Sequence, residues 1–290
     1  MKHTLYIVLI MLSSLANLGC APTDLLNFSS GTKGMRTAHD LSFGQHPRQM
    51  LDIYSPRDQA PTCRIVFVYG GSWKEGSKQQ YGFVGAQLAK QGYQVIIPDY
   101  RLYPEVVFPA FVEDIAHSIA ALDTLPELKS TADLPLVLMG HSAGGLTAAL
   151  LAFDPVYLNA VGVDPNRIKA LVTLAGPHDH FLPTDKPEWT SIFGTDKTKQ
   201  LNALPINHVH SNIPPTLLLH GDADTIVTPN SAKDLAAKLQ KINVDVTLKM
   251  YEGVGHKRIA AALGQPLHFL APTLKDITEF LDNGICAKAL

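Results

Sequence analysis

The sequence predicts a doubly wound, mostly parallel α/β sheet with an antiparallel hairpin at its start. Three observations carry that expectation. From Arg64 to Leu281, short apolar runs alternate with segments whose apolar residues recur at helical spacing. The run Ile65-Val66-Phe67-Val68-Tyr69 is apolar or aromatic at every position, as expected of a strand covered on both faces. Finally, Gly140-His141-Ser142-Ala143-Gly144 lies between a strand-like run and a helix-forming one, so a sharp strand–turn–helix connection is expected there.

The chain has 290 residues, 46% of them hydrophobic, which suits one large α/β domain. The formal net charge is −2 and no basic stripe stands out, which argues against a nucleic-acid partner. Residues 1–20 read as a targeting segment. Lys2 and His3 precede the apolar stretch Leu5 to Leu12, which falls short of the roughly 20 residues of a spanning helix. The tail Leu15-Ala16-Asn17-Leu18-Gly19-Cys20 resembles a bacterial lipobox, although Asn17 and Leu18 depart from its usual residues. That resemblance implies export from a bacterial cell with a lipid anchor at Cys20, a cleaved soluble signal being the alternative. Residues 21–35 include Asn27-Phe28-Ser29-Ser30-Gly31 and read as a tether, leaving 36–290 as the folded domain. Cys63 and Cys286 either pair in an oxidising compartment or stay separate, one a buried strand residue and the other an exposed thiol.

Taken in order, Asp40–Gly44 and Gln49–Tyr54 alternate apolar and polar residues around the turn-prone His46-Pro47, which predicts the hairpin. Ile65–Tyr69 is the first parallel strand, Tyr81–Lys90 a helix stopped by Gly92, and Tyr93–Ile97 the next strand. Phe111, Ile115, Ile119 and Leu122 mark a helix face. Leu134–Met139 is a buried strand, and the helix after Gly145 stops at Asp154-Pro155. Ile168–Leu174, Thr216–His220 and Val244–Met250 are further strands; Ser231–Leu239 and Thr273–Leu281 are helices. The stretch from Pro177 to Pro215 breaks this rhythm and reads as an excursion that shapes a pocket at the carboxyl edge of the sheet. Its His178, His180, His208 and His210 are of metal-ligating type, but nothing in their spacing sets a three- or four-ligand geometry, so they read as loop histidines.

A serine hydroxyl needs a base to act as a nucleophile. Two later stretches offer partners for Ser142. His220-Gly221-Asp222-Ala223-Asp224 follows one strand and Gly253-Val254-Gly255-His256 the next, which puts both at the same sheet edge as Ser142. His256 is the candidate base, with Asp222 or Asp224 orienting it. Backbone N–H groups able to receive a developing oxyanion are expected at Ala143 and at the Gly-Gly turn after the first parallel strand. Asp99, Arg101 and Glu105 read as a structural network supporting that turn, and His141 and His220, beside glycines inside the motifs, as residues that pack against and support the catalytic groups.

These stretches resemble the hormone-sensitive-lipase-like and acetyl/feruloyl-esterase branch of the α/β-hydrolases over about residues 40–283. The resemblance rests on Tyr69-Gly70-Gly71-Ser72-Trp73, Asp99–Glu105, Phe108-Pro109-Ala110 with Asp114, the Ser142 motif, His220-Gly221 with Asp224 and Val227, and Gly255-His256. It implies an α/β-hydrolase fold and a catalytic set of Ser142, Asp224 and His256. It also implies an oxyanion hole of Gly71, Ser72 and Ala143, with Gly70 setting the turn. Tyr69 stands where the family usually has histidine. The implied activity is cofactor- and metal-independent hydrolysis of a small-molecule carboxylic ester, of short-chain or acetyl type given the little room for a cap. A serine amidase or peptidase on the same fold is the alternative, as is a surface-tethered binding protein with an idle site.

Overall fold

The structure, a computed structural model, describes residues 22–179 and 187–286. Residues 1–20, read above as a targeting segment and including Cys20, lie outside them, as does His180.

Eight strands form one sheet. They are β1 (Met35–Ser42), β2 (Met50–Pro56), β3 (Arg64–Val68), β4 (Gln94–Pro98), β5 (Leu136–His141), β6 (Ile168–Leu174), β7 (Thr216–Gly221) and β8 (Val246–Tyr251). Their spatial order is β1-β2-β4-β3-β5-β6-β7-β8. β2 runs against both β1 and β4, and every pair from β4 to β8 is parallel. The expected hairpin and parallel sheet are therefore both present. Because crossover helices cover the sheet, β3, β4 and β5 are buried at every position, as their unbroken apolar runs require.

The helices are α1 (Pro22–Ser30), α2 (Gly82–Lys90), α3 (Ala110–Ala121), α4 (Ala143–Phe153), α5 (Pro155–Ala160), α6 (Pro187–Phe193), α7 (Lys197–Asn202), α8 (Asn230–Lys241), α9 (His256–Ala261) and α10 (Thr273–Asp282). α4 is apolar all round because neighbours cover it all round; ten of its residues are buried. Asp154 ends it by capping α5, its carboxylate accepting from the Val156 N–H at 3.1 Å. The excursion after β6 contains α6, α7 and a 3₁₀ turn at Pro205–His208 rather than an unstructured loop. α6 is tied to the sheet edge by Phe108 N–H donating to Ile192 O at 2.9 Å.

The tether expectation is corrected for residues 22–30, which form α1. Its polar composition disguised a docked helix. Leu26 is buried, lying with Phe83 against Gly264. Asn27 bonds both ways with the start of α2, accepting from Phe83 N–H and donating to Gln79 O, each at 2.7 Å. Lys90 donates to the Ser30 carbonyl and Ser29 to that of Gln265. Contacts of this kind, not intrinsic propensity, hold so short a helix. Cys63 and Cys286 form a disulfide with Cα atoms 5.3 Å apart, fastening the end of the chain beside β3.

Candidate active site

The carboxyl edge of the sheet gathers four loops. The first is the turn between β5 and α4. Ser142 sits there with φ 54° and ψ −124°, a conformation that a β-carbon disfavours, and its N–H is held by Leu174 O at 2.9 Å. So tight a turn brings α4 against β3, and a Cβ on Gly144 would overlap the Val68 carbonyl. Ser142 is thus exposed to its partners at the N-terminus of a buried helix, where backbone N–H groups and the helix dipole favour negative charge.

The second and third loops follow β7 and β8. His256 opens α9, with Nε2 2.8 Å from Ser142 Oγ and Nδ1 2.7 Å from Asp224 Oδ2. A carboxylate only accepts, so Nδ1 carries the proton and Nε2 is free to accept from the serine hydroxyl. Asp224 receives three further donors. Ile226 and Val227 N–H reach Oδ1 at 2.9 Å each, and His220 Nε2 lies 3.2 Å from Oδ2. Burial raises the Asp224 pKa, but the bonds from His220, His256 and Val227 outweigh it and hold the carboxyl well below the usual range. The other carboxylate of the motif, Asp222, points away and accepts from Gly253 N–H at 2.7 Å. Of the two acids that chain order left open, Asp224 is the one beside His256.

The fourth loop follows β3. Gly70 lies against the serine: a Cβ there would come within 2.9 Å of Ser142 Cβ. Gly71 (φ 139°), Ser72 (φ 53°) and Trp73 (φ 56°) are all left-handed, which turns the chain sharply over the N-terminus of α4, where Ala143 is buried. Aromatic packing holds this backbone in place. Trp73 is buried, donates from Nε1 to Thr147 Oγ1 at 3.3 Å, stacks on Phe111 at 5.4 Å and meets Phe193 edge-on at 5.0 Å. Tyr69 stacks on Tyr100 at 4.7 Å and donates its hydroxyl to Asp99 Oδ1 at 2.7 Å. Its carbonyl accepts from the Tyr100 hydroxyl at 3.0 Å. Tyrosine thus anchors the loop through a buried carboxylate.

The charged group divides. Asp99 serves Tyr69, while Arg101 pairs in a fork with the fully buried Asp114, with contacts of 2.8 to 3.1 Å. Glu105 pairs with His46 at 2.6 Å. Arg48 links the parts, donating to the Tyr69 hydroxyl at 2.7 Å, Tyr100 O at 2.7 Å and Gly76 O at 2.9 Å. No motif pointed to Arg48, which lies in a polar loop whose position only the hairpin decides. The excursion histidines separate. His178 bonds Thr173, His208 bonds Asn202 O and His210 bonds Phe153 O. Among the described residues no group of three or more His, Cys, Asp or Glu is placed to hold a metal ion.

Comparison with known proteins agrees with this architecture. A family model described as BD-FAE matches residues 51–239. A protein of Arabidopsis thaliana described as "Probable isoprenylcysteine alpha-carbonyl methylesterase" is 29% identical over 240 residues, covering 74% of this chain and 56% of that protein. Esterase LipC of Mycobacterium tuberculosis is 28% identical over 236 residues, covering 74% and 58%. The chain therefore spans a little over half the length of these relatives. A truncated carbohydrate esterase from gut microbiota superposes with a TM-score of 0.73 at 21% identity, covering 87% of this chain and 97% of that one. At that identity the likeness is one of fold, and the fold is that of the α/β-hydrolases. With the family model matched over most of the sheet and across the loops bearing Ser142 and Asp224, the chain belongs to the BD-FAE family.

Proposed function

We propose that the protein is a serine carboxylesterase that hydrolyses short-chain or acetyl esters through an acyl-enzyme. The observation that carries the reading is the unbroken chain from Ser142 Oγ to His256 (2.8 Å) to Asp224 (2.7 Å). In this mechanism His256 Nε2 takes the hydroxyl proton as Ser142 attacks the ester carbonyl. The N–H groups of Ala143, Gly71 and Ser72 receive the oxyanion, and Gly70 lets their turn approach the serine. His256 then returns the proton to the leaving alcohol, and water activated by the same histidine releases the acid. Asp224 holds the tautomer and stabilises the imidazolium. The esterase and methylesterase descriptions of the relatives support an ester substrate. A truncated carbohydrate esterase among the fold neighbours suits an acylated sugar.

The test is Ser142→Ala, assayed against acetylated sugars, hydroxycinnamoyl esters and lipid esters. Turnover on the preferred class should vanish while the fold is kept. Substantial residual turnover would place the nucleophile elsewhere, and preference for an amide over the matching ester would favour an amidase.

The proposal extends to location. The protein is exported and acylated at Cys20. Since α1 begins two residues later and is docked to the body, the anchor would hold the domain close to the bilayer. Cys20→Ala should remove the lipid mass from the mature chain and free it from membranes; a variant that stays membrane-bound without a retained signal segment contradicts the anchor.

A further inference from the structure

The esterase mechanism leaves one buried side chain in the Ser142 motif without a task. His141 ends β5, directly before the serine, and is buried. Its Nε2 lies 3.1 Å from the main-chain carbonyl of His256, and the two imidazole rings are 5.1 Å apart. A carbonyl only accepts, so Nε2 carries the proton and the neutral ring presents Nδ1 as an acceptor. Nδ1 faces the Tyr81 hydroxyl at 3.5 Å, and Gly70 packs against the same imidazole ring, where a Cβ would come within 3.1 Å of Nδ1. Burial, and after it the neighbouring His256, holds the His141 pKa down to about 3, so this hydrogen-bond direction persists across neutral pH.

The result is a line from the Tyr81 hydroxyl through His141 to the His256 carbonyl, with Gly70 packed against its middle. It joins the backbone immediately before Gly71, the residue immediately before Ser142, and His256 itself. Without it these three loops arrive from β3, β5 and β8, strands that are not all neighbours in the sheet. Tyr81 is itself fixed, stacked on Tyr69 at 5.7 Å and on Phe83 at 6.0 Å. A neutral ring also suits the place, since a cation beside His256 would repel the imidazolium formed in the reaction.

We propose that His141, backed by Tyr81, is a positioning residue that sets the height of His256 over Ser142 and ties it to the oxyanion loop. The proposal rests on the serine esterase reading above. Misplacing the base by about 1 Å costs on the order of 10²-fold in rate. The variants His141→Leu and His141→Asn, in which the Asn amide falls short of the carbonyl, should therefore lose about 10²-fold in kcat with KM little changed. His141→Gln can place an amide N–H near the original Nε2 position and should recover most of that loss. Tyr81→Phe should lower kcat by roughly tenfold.

The measurements are kcat and KM on a soluble short-chain ester, thermal unfolding of each variant, and turnover of Ser142→Ala in the same series. If His141→Leu does not fold, the Asn and Gln pair decides. Equal kcat for Asn and Gln, wild-type kcat in either His141→Leu or His141→Asn, or a KM that rises as kcat falls would overturn the role of His141. Turnover surviving in Ser142→Ala would instead overturn the esterase reading and the proposal with it. Loss in Ser142→Ala with no loss at His141 overturns the proposal alone.

Discussion

Asp224 shows how far one side chain's surroundings decide its chemistry. Four donors converge on it, from His220, Ile226, Val227 and His256, whereas Asp222, two residues earlier, accepts one N–H at an exposed turn. Asp224→Asn should lower kcat by about 10⁴-fold, since an amide cannot hold the same histidine tautomer. Asp222→Asn should stay within about twofold, as a surface change does. Steady-state kinetics of the two variants checks the ranking, and the reverse order would reassign the acid. His178 makes a prediction about stability. Burial holds its pKa down to about 3, and its Nε2 meets Thr173 Oγ1 at 3.0 Å. In the unfolded chain it titrates near the ordinary value of about 6.5. Between those values the unfolded state carries the proton and the folded state does not, so stability falls as pH drops through that window. His178→Gln should flatten the dependence by up to about 1.4 kcal/mol per pH unit, measured by urea unfolding between about pH 4 and 6.5. Parallel curves for variant and wild type would mean that His178 takes up its proton without unfolding the chain.

At the scale of elements, the loop after β3 is the instructive one. Its three left-handed residues keep their shape because Trp73 is wedged between α3, α4 and α6, touching Phe111, Thr147, Trp189 and Phe193. Trp73 directly follows Ser72 and bonds to the helix that begins beside Ser142, so the aromatic group fixes where the Ser72 backbone lies. Trp73→Ala should free that backbone and lower kcat by about 10²-fold, the scale of losing one oxyanion donor. Wild-type kcat in a folded Trp73→Ala would show that the loop keeps its shape without the indole. Helix α1 teaches a different lesson. Apart from Leu25 and Leu26 its residues are weak helix formers, and burial of Leu26 with the hydrogen bonds at Asn27, Ser29 and Ser30 holds it.

Across the whole molecule, the disulfide between Cys63 and Cys286 links positions 223 residues apart and so closes nearly the entire domain into one loop. In the chain-entropy account a loop of that length is worth up to about 5 kcal/mol through the unfolded state. Reducing agent, or the double substitution Cys63→Ala with Cys286→Ala, should lower Tm by several degrees while leaving the ester kinetics near wild type, because neither cysteine approaches the carboxyl edge. Equal Tm values with and without reductant would show that the bond contributes nothing to stability.

The sequence by itself determined the sheet, the succession of strands and helices along the chain, and the three loops that bring Ser142, His256 and an aspartate to one edge. Those features are legible because they rest on local signals: apolar runs of strand length, helical spacing, and glycines at tight turns. The choice of Asp224 over Asp222 came only with the family resemblance, because both follow the same strand and the turn decides which carboxylate faces His256. The rest was left to the tertiary structure. The folding of residues 22–30 into α1 depends on a surface supplied by α2 and Gly264, remote in sequence. The line through Tyr81 and His141, and the Arg48 anchor beneath Tyr69, are contacts between side chains tens of residues apart. Their hydrogen bonds exist only once the sheet has brought β2, β3, β5 and β8 into register, so no local pattern announces them.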